Sequence, residues 1–185
     1  MTIDDQHRLS SALWRPSPHC DERPAWATID LVVVHCVSLP EGQFGTGAPE
    51  RLFLGQLDCD EHPSFTDLVG LEVSPHLFVR RDGDLEQFVR FDQRAWHAGT
   101  STWRGRSRCN DFSIGIELEG CVGVAYAEAQ YRTLRRVWHG LRARYPTLTG
   151  DAMVGHSEIA PGRKTDPGPT FVWSEILDAG PAQGF

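Results

Sequence analysis

The sequence predicts an α/β fold: a mixed central β-sheet flanked by helices, with its functional groups at strand ends in a surface groove. Three stretches carry that expectation. Ile29–Val34 is a continuous apolar, β-branched run, as in a central strand buried on both faces. Phe112–Glu119 alternates, with Phe112, Ile114, Ile116 and Leu118 facing one way. Ser113, Gly115, Glu117 and Glu119 face the other, small residues leading to an acid that suit the floor of a groove. Ala127–Tyr145 is helical: Tyr131, Leu134, Val137, Trp138, Leu141 and Tyr145 form one apolar stripe, and Pro146 bars its continuation.

The other elements fit between these. Residues 1–27 read as irregular, since Pro16, Pro18 and Pro24 oppose a helix. Leu39–Gly47 is a loop, and Pro49–Leu57 and Ser64–Leu71 are short helices. Leu77–Arg81 and Leu85–Arg90 flank an Asp82-Gly83 pair, which tolerates positive φ and so marks a hairpin. Met153–Val154 is a last short strand and Phe171–Asp178 a closing helix. No repeat or linker divides the chain, so residues 1–185 are expected to form one domain, as the ~150-residue norm suggests.

Composition excludes several functions. Net charge is −7, which argues against nucleic acid and anionic membrane as partners. No apolar run approaches the ~20 residues of a membrane span. Met1–Arg15 is polar and acidic with no apolar signal region, so a cytoplasmic, monomeric protein is expected. The five cysteines, Cys20, Cys36, Cys59, Cys109 and Cys121, are odd in number and contain no C-x-x-C, unlike a disulfide framework or an all-cysteine metal site. Of 18 basic residues only Lys164 is a lysine.

Chemistry is expected around two histidines. His35 follows the Ile29–Val34 run and His156 follows Met153–Val154. Beyond His156, Pro161, Gly162, Pro167 and Gly168 constrain a loop that can fold Asp166 back beside it. Two imidazoles and a carboxylate make three ligands with a fourth position open to water. From the residues alone, satisfied core or loop histidines and an Asp166 in a turn explain the pattern as well.

Several longer motifs go further. Ser17-Pro18-His19-Cys20-Asp21, Val34-His35-Cys36-Val37-Ser38-Leu39-Pro40, Trp96-His97-Ala98-Gly99, Arg108 through Gly120, and Gly155-His156 through Pro169 occur in that order. Together they resemble the amidase_2 family, to which T7-type lysozymes and peptidoglycan recognition proteins also belong, and within it the 1,6-anhydro-N-acetylmuramyl-L-alanine amidases. The resemblance implies one Zn2+ per chain on His35, His156 and Asp166. It implies Glu117 as the acid that handles the water, Lys164 as the cation facing the oxyanion, and a muropeptide substrate met by Cys36, Trp96, His97, Arg108 and Ala160. Relatives usually carry asparagine where this chain has Cys36. A general amidase on intact wall and a non-catalytic recognition module are the competing readings.

Overall fold

The computed structural model describes residues 1–177. The amino-terminal segment carries two short strands, β1 (Leu13–Trp14) and β2 (Cys20–Glu22). β3 (Leu31–Val37) follows, then a short helix α1 (Ala48–Phe53) and a 3-10 turn at Pro63–Leu68. β4 (Leu77–Val79), β5 (Leu85–Gln87) and β6 (Gln93–Ala95) come next, then the small ribbon β7 (Thr102–Trp103) and β8 (Arg106–Ser107). β9 (Ser113–Glu119) leads to the long helix α2 (Glu128–Arg144). β10 (Met153–Gly155), α3 (His156–Ile159) and α4 (Ser174–Leu177) complete the described chain.

The sheet is mixed, in the order β1-β5-β4-β9-β3-β10. β4, β9, β3 and β10 run parallel to their neighbours, and β5 returns antiparallel beside β4. Both faces are covered. Val32, Val34, Ile114, Ile116 and Leu118 pack against Tyr131, Leu134, Val137, Trp138 and Leu141 of α2. Leu31 and Val33 face the other way, toward Ala98, Val154 and Ile159 of α3, while Phe78 meets Leu52 and Phe53 of α1. This double cover explains the uninterrupted apolar run in β3. Buried Gln130 ties α2 to the sheet, donating to the carbonyls of Val79 and Glu119.

Several expectations need correction. The N-terminal segment is not wholly irregular, because β1 finds a partner in β5 and β2 in β6. β3 runs past His35 to Val37, since Cys36 and Val37 still pair with Leu118 and Glu119. Phe112 lies before β9 and packs with the Leu31–Val33 side rather than with Ile114. The hairpin strands are shorter than expected, and of the two turn residues only Gly83 has positive φ. Ser64–Leu71 is a 3-10 turn over Pro63–Leu68. The closing helix begins at Ser174, and its expected end at Asp178 lies outside the described residues.

Leu134 is fully buried between α2 and the sheet. Leu134→Ala is expected to cost about 2–5 kcal/mol, the usual range for emptying such a site. Arg132→Ala removes only an exposed i,i+4 pair with Glu128 and is expected to change stability little. The midpoints of urea denaturation for the two variants check this.

Candidate metal centre and active site

The central strands set the site. In the parallel register of β3 and β9, His35 stands opposite Glu117. In that of β10 and β3, Gly155 stands opposite Val34, so His156 emerges beside His35 at the carboxyl end of the sheet. His156 opens the single helical turn α3, where a loop was expected.

The chain then doubles back. Gly155 permits this, because a Cβ there would meet Pro167 Cδ at 2.8 Å. Ser157 N–H donates to the Asp166 carbonyl at 3.0 Å, and Tyr126 O–H donates to the Pro167 carbonyl at 2.8 Å. Asp166 is thereby held against both histidines.

Three atoms converge. His35 Nδ1 and His156 Nδ1 are 2.9 Å apart. Asp166 Oδ2 lies 3.0 Å from His156 Nδ1 and 3.4 Å from His35 Nδ1. Both histidines are buried, His35 at 1% exposure and His156 at 4%. A neutral imidazole has one N–H and one lone pair, and a carboxylate only accepts. Three mutual contacts of this kind are poorly served by protons. They suit a small cation: ligand atoms about 2.0–2.1 Å from a tetrahedral zinc stand about 3.4 Å from one another. The donor set, two nitrogens and an oxygen, also suits zinc.

Burial shapes the charges. It pushes the His35 imidazolium down to about 4, against the pull of Asp166. For Asp166 burial acts upward, but hydrogen bonds from His156 and His35 outweigh it and hold the carboxyl well below the usual range. Glu117 is pushed well above its ordinary value by burial and then by the Asp166 carboxylate, with Lys164 opposing. Its Oε2 is buried with no hydrogen-bond partner. A cation at the three-atom cluster would reverse that imbalance.

A cavity of about 420 Å³ contains His35, Glu117, His97, His156, Lys164 and Asp166 in its wall. A second of about 420 Å³ shares Cys36, Lys164 and Asp166 with it. Trp96 lines the first and donates from Nε1 to Asp21. His97 lines it too, and its ring stands 83° to that of His35. Cys36 packs on the α2 side of the sheet, and burial pushes its thiol up to about 12. Ala160 is buried at the end of α3, its carbonyl taking the Arg163 and Lys164 N–H groups. Arg108 is 70% exposed, pairs with Asp111, and lies outside both cavity walls.

Some supporting residues were not singled out from the sequence. Asn110 Oδ1 accepts from the backbone of His97 and Ala98. Gly115 leaves room for the His97 ring, since a Cβ would sit 2.4 Å from its Cγ. Both lie inside the motifs that carried the resemblance, but Asn110 acts on backbone N–H groups and Gly115 through a missing side chain, and neither leaves a pattern of side-chain types.

Comparison with known proteins places the chain in a family. The Amidase_2 family model, described as N-acetylmuramoyl-L-alanine amidase, matches residues 25–169. The 1,6-anhydro-N-acetylmuramyl-L-alanine amidase AmpD of Escherichia coli (strain K12) is 53% identical over 172 residues, covering 93% of either chain. The crystal structure of a selenomethionine AmpD derivative superposes with a TM-score of 0.93 at 49% identity, covering 96% of this chain and 98% of that one. AmpDh3 from Pseudomonas aeruginosa, solved in complex with anhydromuramic pentapeptide, has a TM-score of 0.63 at 26% identity, covering 96% of this chain and 66% of that one. The shared fold and the match across residues 25–169 show that the chain belongs to the Amidase_2 family of N-acetylmuramoyl-L-alanine amidases.

Proposed function

We propose that this chain is a zinc-dependent amidase that hydrolyses the amide between the lactyl group of 1,6-anhydro-N-acetylmuramic acid and the L-alanine of the stem peptide, in cytosolic cell-wall recycling. The observation that carries the reading is the convergence of buried His35 and His156 with partly buried Asp166, beside the unpartnered Oε2 of Glu117. Relatives at about half identity that are named for this activity support the substrate. No helix among the described residues is long and apolar enough to cross a membrane.

Zinc, when bound by the three residues, supplies a Lewis acid and lowers the pKa of its water to about 7. Glu117 takes a proton from the attacking water and returns one to the leaving amine. Its desolvated oxygen has no competing protein donor, which keeps it free for that transfer. The Lys164 ammonium shares the cavity wall and stabilises the oxygen of the scissile carbonyl as it gains charge. The two cavities share Lys164 and Asp166 in their walls, so in this reading the sugar lies in one and the peptide in the other.

Product analysis tests the reaction. Zinc-loaded chain given the anhydro-muropeptide is expected to release free stem peptide, and to consume the non-anhydro muropeptide more slowly. About one zinc per chain is expected, with activity lost on chelation and restored by zinc. Full activity in a sample verified metal-free overturns the metal assignment.

Glu117→Gln is expected to keep its zinc and lose about 10²–10⁴ in rate, the size of a general acid–base contribution. A parent-like rate would make Glu117 structural. Lys164→Ala is expected to lower kcat by about 10²–10³ with little change in KM, because the cation acts on charge that develops only in the transition state. Lys164→Arg is expected to substitute poorly, its planar fork being wider than an ammonium. Steady-state kinetics at matched zinc occupancy decide both cases.

A further inference from the structure

The second nitrogens of the two histidines end on one short segment. His156 Nε2 lies 3.2 Å from the Ala98 carbonyl. His35 Nε2 lies 2.9 Å from His97 Nδ1, and His97 Nε2 lies 3.1 Å from Ser113 Oγ. We propose that the His97–Ala98 segment is a single support that sets the tautomers of both histidine ligands, and that His97 is a positioning residue acting through His35.

The argument is one of proton counting. Each Nδ1 must offer a lone pair to the cluster, so each ring proton belongs on Nε2. For His156 the Ala98 carbonyl favours this, since it can only accept; Arg163 Nη2, 3.4 Å from the same nitrogen, uses its two N–H groups on the carbonyls of Ala98 and Thr100. For His35 the partner is another imidazole, so two directions exist. If His35 Nε2–H donates to His97 Nδ1, His97 carries its own proton on Nε2 and donates to Ser113 Oγ. In the reverse direction His97 Nδ1–H donates to His35, whose proton then points into the cluster and blocks it as a ligand. The tautomer of His97 therefore decides whether His35 can coordinate.

The segment is fixed for this task. Asn110 Oδ1 accepts from His97 N–H at 3.2 Å and from Ala98 N–H at 2.8 Å. Arg163 Nη2 donates to the carbonyls of Ala98 and Thr100, each at 2.7 Å, which holds the Ala98 oxygen in place. The His97 ring rests on the bare backbone of Gly115. Partners of this sort orient ligands, and their loss usually weakens metal binding about 10–100-fold.

This inference rests on the zinc reading above, and the test separates the two. Zinc affinity is measured by competition with a chromophoric chelator for the parent, His97→Phe and His97→Asn, together with kcat and KM. His97→Phe is expected to bind zinc about 10–100-fold more weakly with KM nearly unchanged. His97→Asn, whose Oδ1 stands near the lost Nδ1, is expected to recover most of that affinity. Long-range 15N–1H spectra of the zinc-loaded parent, which need no variant, are expected to show His97 protonated at Nε2 alone. Parent-like zinc affinity in His97→Phe with a raised KM makes His97 a substrate contact and overturns the proposal. A His97 protonated at Nδ1 in the zinc-loaded parent also overturns it. A parent chain that binds no zinc overturns the metal reading and this inference with it.

Discussion

The parallel pairing of β3 with β9 is the constraint on which the site depends. Its register puts His35 opposite Glu117. Alternation along β3 sends Val32, Val34 and Cys36 into the core under α2 while Leu31, Val33 and His35 face the other way. A slip of one residue would bury His35 under α2 and bring Cys36 to the cluster. What opposes the slip is the end of the strand, since Val32, Val33 and Val34 are alike on both faces: a slip would bury the polar imidazole of His35 among the apolar side chains under α2.

A second constraint turns sequence neighbours into ligands. Asp166 lies ten positions after His156, and the two meet because Pro167 packs onto Gly155 and accepts from Tyr126 while the Asp166 carbonyl accepts from Ser157. That return also fixes Lys164, which lies between the turn's anchor at Ala160 and the carboxylate at Asp166. The proposed oxyanion cation and the third proposed metal ligand are thus delivered by one loop. β10 supports both, since its pairing with β3 sets the depth at which His156 and the loop begin.

Much of this was legible in the sequence. β9 and α2 came from apolar periodicity, because each buries one face, and β3 from an unbroken apolar run, because it is buried on both. His35, His156 and Asp166 were legible as a set only through longer motifs; composition and spacing left a turn aspartate equally good. The edge pairings of β1 and β2 were not legible, since two- and three-residue strands carry no period. The cradle of the histidines was hidden for another reason. Ala98 and Gly115 act through a carbonyl and a missing Cβ, and Asn110 acts on backbone N–H groups. Arg108, expected at the substrate, is largely exposed beside Asp111, and its left-handed φ of 64° turns the chain into the 3-10 turn before β9.

The same distinction accounts for the uneven use of basic residues. Where the structure needs several acceptors held at once, it uses arginine. Arg23 donates to the carbonyls of Phe91, Asn110, Asp111 and Ser113 and so pins the entry to β9. Arg94 joins Asp21 to Asp111, and Arg106 takes Asp30 with both arms of its fork, at 2.9 and 2.8 Å. Planar, multidentate contacts of this kind are what a guanidinium offers and an ammonium does not. Lys164 is different. Its ammonium makes no hydrogen bond or ion pair among the described residues, although it lines the cavity that holds Glu117 and the three converging ligands. It is exposed, so water can solvate it when no other partner is present. A cation in that wall with no acceptor among the described residues is available to a partner that arrives from outside, and in the proposed reaction that partner is the oxygen of the scissile carbonyl.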